Sequence, residues 1–143
     1  MSDLSFQRVT TMLVARDLTE SVAFYRDCLQ FEVVEESAWI VLLRQGTMFL
    51  YLFSQSPPTP DKPDVTLEPL SAPEHTSVIL DFQVADCWAT YRALAAKGVV
   101  FMTEPHAPPW GGWRCFARDP NDYLIEIEQP WLSGDLQPSM EKP

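Results

Sequence analysis

Apolar and polar positions along the chain change period in a set order, and that order occurs twice. The segment 6–15, FQRVTTMLVA, is rich in strand formers and predicts a β-strand. Asp17 follows as a helix N-cap, with Glu20 three residues on as its capping-box partner. Leu18, Val22, Tyr25 and Leu29 then recur at helical spacing, which predicts an amphipathic helix over 18–29. Three strands come next, Phe31–Val34, Ala38–Leu43 and Met48–Phe53, with Gly46 turning the chain between the last two. The first module, residues 1–54, reads β-α-β-β-β.

Residues 55–75 hold six of the 13 prolines and show no periodicity. Proline fixes φ and removes a backbone donor, so this stretch predicts a loop or linker, not a regular element. The second module, residues 76–130, repeats the pattern of the first. Ser77–Val84 predicts a strand. Asp86 caps a helix that turns Cys87, Tyr91 and Leu94 inward and stops at Gly98. Val99–Thr103, Trp113–Ala117 and Tyr123–Glu128 predict three more strands. Asp17 and Asp86 correspond at a shift of 69 residues, and Tyr51 and Glu126 at a shift of 75. Such an internal repeat predicts an α+β fold of two βαβββ modules whose curved mixed sheets form an open cleft. The polar residues 131–143 predict a frayed tail, which Trp131 could dock.

Composition narrows the function. The 143 residues carry 20 acidic and 10 basic side chains, a formal charge of −10. Phosphate binding needs clustered Lys and Arg, so nucleic acid is excluded as a partner, and an anionic membrane surface is disfavoured. A cationic ligand suits the charge, because a cleft lined by carboxylates focuses the field on it. At 46% hydrophobic and 21% charged the chain predicts a folded domain. No apolar run approaches the roughly 20 residues that span a bilayer. The start, MSDLSFQRVT, lacks the basic-then-apolar pattern of a signal peptide. Three cysteines, Cys28, Cys87 and Cys115, form no CxxC pair. They predict buried, inert thiols and a cytoplasmic location.

Two motifs resemble those of a known family. One runs Asp17-Leu18-Thr19-Glu20-Ser21-Val22-Ala23-Phe24-Tyr25 to Leu29-Gln30-Phe31. The other runs Pro109-Trp110-Gly111 through Trp113-Arg114-Cys115-Phe116 to Asp119-Pro120-Asn121-Asp122 and Glu126. Together they make residues 6–130 similar to one domain of the vicinal oxygen chelate superfamily, which includes glyoxalase I, extradiol dioxygenases and bleomycin resistance proteins. Gln30 and Asp122 stand where the family has glycine. The Asp119–Asp122 turn and the Asp17 cap explain the motifs as fold signals, not as chemistry.

The resemblance implies that a metal-dependent member would place ligands at the positions of Thr10, Tyr51, Ile79 and Glu126. Only Glu126 is a good ligand for a first-row metal, whereas such sites use three or more His, Cys or carboxylate groups. His75 and His106 read as surface or rim residues. No metal or other cofactor is therefore expected, and a divalent metal is disfavoured. The cleft is expected to bind a small molecule through Thr10, Trp39, Phe49, Tyr51, Trp110, Trp113, Arg114, Phe116 and Glu126. Aromatic rings beside a carboxylate suit a flat or cationic organic ligand. Strand alternation turns either Trp113 or Phe116 away from the cleft. Arg114 could clamp an anion or pair with Glu126. The leading expectation is a metal-free binding protein similar to bleomycin resistance proteins, acting as a homodimer. The alternative is a lyase, isomerase or dioxygenase in which Glu126, with Tyr51, does acid–base work or Glu126 ligates a metal.

Overall fold

The computed structural model describes residues 4–131. The expected tail beyond Trp131 lies outside them. Contacts divide the chain into two units at Pro69/Leu70, within the proline-rich stretch.

The first unit contains β1 (Thr11–Ala15), α1 (Leu18–Ala23), β2 (Glu32–Glu36), β3 (Ile40–Gln45) and β4 (Met48–Ser54). Its sheet runs β1-β4-β3-β2, with β1 parallel to β4 and the other pairs antiparallel. Alternation buries Leu13, Ala15, Val41, Leu43, Leu50 and Leu52 on one face, where Val22 and Tyr25 join the core. The Asp17 carboxylate accepts the Glu20 amide at 3.0 Å and starts α1. The expected helix over 18–29 is regular only to Ala23. Phe24–Cys28 widens into a π-turn, in which the Leu29 amide reaches back to the Phe24 carbonyl. Residues 6–10 lie outside β1, so the strand expected over 6–15 is half as long.

Residues 55–75 hold no helix or named strand, as their prolines predict, but the loop is tied together by hydrogen bonds. Within the first unit, Ser56 pairs with Leu67. The Lys62 ammonium donates to the carbonyls of Pro57 at 2.6 Å and Val65 at 3.1 Å. A cation has gathered the carbonyls that prolines leave without a ladder.

The second unit contains β5 (Ile79–Gln83), α2 (Cys87–Ala96), β6 (Trp113–Arg118) and β7 (Leu124–Gln129), in the sheet order β5-β7-β6. Asp86 caps α2 through the Ala89 amide at 2.9 Å. Gly98, at φ +92°, closes it: the Gly98 amide donates to Ala95 and the Val99 amide to Leu94, a Schellman end. The strand expected over Val99–Thr103 is absent. Instead, single bridges join Phe101 to Ala117 and, farther along, His106 to Arg114 of β6, and the Met102 amide donates to the Phe116 carbonyl at 2.9 Å. Six residues along the edge, 101–106, oppose four along β6, 114–117, and the surplus bends around Thr103 and Glu104 before Pro105.

The core of the second unit is aromatic. Trp88 meets Trp113 edge-on at 5.7 Å and Tyr91 at 6.1 Å, and Tyr91 meets Phe101 at 4.9 Å. Cys87 and Cys115 are buried there with their sulfurs 3.8 Å apart. The hydrogen bond it gives to the Cys87 sulfur and its burial push the Cys115 thiol up, so it stays protonated and inert. Cys28 departs from expectation in being only half-buried.

Candidate functional site on the open face of the second sheet

The face of the β5-β7-β6 sheet turned away from α2 is built by register. Asp81 lies opposite Glu126, which lies opposite Phe116. Gln83 lies opposite Glu128, which lies opposite Arg114. Alternation therefore collects three carboxylates on one face. Oxygens of Asp81, Glu126 and Glu128 lie within 4.8 Å of one another.

Charges so close cannot all ionise at ordinary cost. Burial, a hydrogen bond with Glu128 and the charges of Glu128 and Glu126 hold the Asp81 carboxyl at about 6. Burial also pushes Glu126 up, against the opposing pull of Arg114. Gln83 supports Glu128 through a 3.3 Å amide contact.

Aromatic groups border the carboxylates. The Arg114 guanidinium lies 4.8 Å from the Trp110 ring centroid and 5.2 Å from that of Phe116. It stands 3.9 Å from Glu126, diagonally across the strands. Trp110 is 62% exposed. The Trp110-Gly111-Gly112 turn is set by close contact with residues 129–131, at the end of β7 and just after it. A Cβ at Gly111 would fall 2.3 Å from the Trp131 ring, and one at Gly112 would fall 2.3 Å from the Gln129 carbonyl. Only glycine permits this approach, and both residues take positive φ. Trp131 thus braces the loop that carries Trp110.

Of the expected binding residues, this face brings together Trp110, Arg114, Phe116 and Glu126. Trp113 does not belong to it: its ring is buried against Trp88 on the opposite face. Of the Trp113/Phe116 alternatives, Phe116 is the ring on the open face. Asp81 and Glu128 are functional candidates that the sequence reading missed, although alternation along β5 and β7 carries the signal.

The remaining candidates lie in the first unit. Tyr51 lines a hollow of about 340 Å³ with Glu35, Glu36, Ser37, Ile40 and Leu42. Trp39, 70% exposed, borders a separate hollow of about 250 Å³ beside Phe53 and Pro57. Phe49 carries the Arg8 guanidinium 3.9 Å above its ring. Thr10 is half-buried just before β1.

Of the ligand positions implied by the resemblance, Ile79 has no donor atom and is opposite Leu124, not Glu126. The four do not make a transition-metal set.

The chain matches the Glyoxalase/Bleomycin resistance protein/Dioxygenase superfamily over residues 7–127. It belongs to that superfamily. A glyoxalase/bleomycin resistance protein/dioxygenase from Nocardioides superposes with a TM-score of 0.73 at 21% identity, covering 98% of this chain and 93% of that one. A lactoylglutathione lyase from Agrobacterium tumefaciens gives 0.67 at 21%, covering 86% and 93%. A bleomycin-binding protein solved with bleomycin gives 0.62 at 22%, covering 87% and 99%. Likenesses at this identity show the shared glyoxalase/bleomycin resistance fold, not a shared ligand. No curated protein sequence matches the chain.

Proposed function

We propose that this superfamily member binds and sequesters a small organic cation carrying a flat or aromatic group, with no metal or other cofactor. The observation that carries the reading is the joining of Asp81, Glu126 and Glu128 with the Trp110 and Phe116 rings on one sheet face. Carboxylates attract the cation, and rings hold both its charge and its flat part. A protein of the same fold was solved with bleomycin, which makes an antibiotic-like cation the first ligand class to try. The working form in this reading is a cytoplasmic homodimer.

The test is titration with bleomycin and with small aromatic cations, followed by Trp fluorescence, with sedimentation to give the oligomeric state. Saturable quenching in the micromolar range is the expected result. No change up to high micromolar ligand overturns sequestration.

A second reading rests on the same carboxylates. Three carboxylates within 4.8 Å could hold a hard cation, and carboxyls with raised affinity for protons suit acid–base work in a lyase or isomerase. In that reading Glu126 moves the proton. Stoichiometric metal by elemental analysis, with turnover of the methylglyoxal–glutathione hemithioacetal, would replace the first reading by this one.

A further inference from the structure

We propose that Arg114 is a built-in occupant of the cation subsite, and that a ligand's cationic group binds by displacing it. The inference rests on the cation-binding reading of this face. It assigns to Arg114 the selection of which cations enter.

The guanidinium has the surroundings proposed for the ligand's own charge. Two ring faces, Trp110 and Phe116, lie within the roughly 6 Å over which a cation is attracted to a π-face. A carboxylate, Glu126, faces it at 3.9 Å. Register does not force this placement. The residue directly across the ladder from Arg114 is Glu128, and the guanidinium reaches diagonally to Glu126 instead.

The contacts that hold Arg114 are weak enough to be exchanged. The Glu126 pair is longer than a hydrogen bond, and a third of the Arg114 side chain is exposed. Trp110 presents most of its surface to solvent. A planar amidinium or guanidinium can take the same two rings and the same carboxylate while Arg114 swings into water. A bare metal ion or a compact ammonium gains less from the rings, so the subsite favours flat, delocalised cations. An anion gains nothing from the displacement, because the Arg114 charge already faces Glu126 with Asp81 and Glu128 beside it.

Benzamidinium is the probe, with benzoate as its anionic counterpart, measured by calorimetry on the full chain. In Arg114→Gln, benzamidinium is expected to bind about tenfold tighter than to the unaltered protein, which is about 1.4 kcal/mol. Arg114→Lys should fall between the two, and benzoate should gain nothing. Near-UV dichroism from the Trp88–Trp113 pair checks that each variant is folded.

A second measurement needs no variant. The Arg114 side-chain N–H resonance, shifted by the two rings in the free protein, should move toward the position of a solvated arginine as benzamidinium saturates. If the unaltered protein binds benzamidinium but Arg114→Gln binds it no better, or the Arg114 resonance stays in place, the displacement is wrong and cation binding stands. If neither form binds benzamidinium, both fall.

Discussion

The residue that most changes the picture of the site is Asp81. Carrying the family's ligand positions onto this chain directs attention along β5 to Ile79, which has no donor. The hydrogen-bonded register instead puts Asp81 opposite Glu126. A repeat shift aligns one module with the other, but it does not say which residues of two parallel strands lie side by side. Asp81 should titrate near pH 6, because its folded value is raised to about 6 while an unfolded Asp titrates near 3.9. The sign follows from proton binding. Between those values the folded chain holds more protons than the unfolded one, so this group's stabilising contribution is full below about pH 3.9 and is lost as pH rises through 6. A carboxyl ¹³C titration should show that midpoint, and Glu128→Gln should lower it by removing a hydrogen bond and a like charge. An Asp81 midpoint near 4 in the unaltered protein sinks the assignment. Ionisation of Asp81 should also tighten cation binding between pH 5 and 7.5.

At the scale of elements, the two positions where this sequence lacks the family's glycine show what the substitutions cost. Gln30 takes φ +62° and Asp122 takes φ +67°. Asp122 is well supported: the Asp122 amide closes the turn on the Asp119 carbonyl, and the Asp119 carboxylate accepts the Asn121 and Tyr123 amides at 2.8 and 2.9 Å. Gln30 ends the π-turn on an exposed position with a Cβ that the left-handed region disfavours. Gln30→Gly should therefore stabilise the protein, since relief of about 1–2 kcal/mol of crowding exceeds the extra flexibility of glycine, about 0.5–1 kcal/mol. A net gain of up to about 1 kcal/mol should raise the Tm by a few degrees in a thermal melt. A lower Tm would show that the Gln30 side chain supplies more than the strain costs. Helix starts, turn glycines and the long strands were legible in the sequence because caps and alternation are local. The failures share a different cause. The edge strand at Val99–Thr103 was lost because pairing depends on the facing strand. The tie that Lys62 makes within the proline-rich loop was not legible either, because it gathers carbonyls from residues on either side of it.

For the whole molecule, net charge proves a poorer guide than its placement. Residues 1–69 and 70–143 each carry ten acidic and five basic side chains, −5 apiece, so the total of −10 does not mark either unit as the binding one. What marks the second unit is that three of its acids share a face within 4.8 Å of one another, beside Trp110 and Phe116. The two sources of attraction respond differently to salt. The long-range field of −10 is screened as the Debye length falls from about 10 Å at 0.1 M to about 3 Å at 1 M, whereas contacts between a bound cation, the carboxylates and the rings are already short. Across that range the association rate of benzamidinium should drop severalfold while its dissociation rate changes by less than about twofold. Glu126→Gln should have the opposite signature, a faster dissociation at every salt concentration with a nearly unchanged slope of the association rate. Stopped-flow fluorescence separates the two rates. A dissociation rate that climbs with salt as steeply as the association rate falls would mean that a diffuse field holds the cation, and that the arrangement of Glu126, Trp110 and Phe116 is incidental to binding.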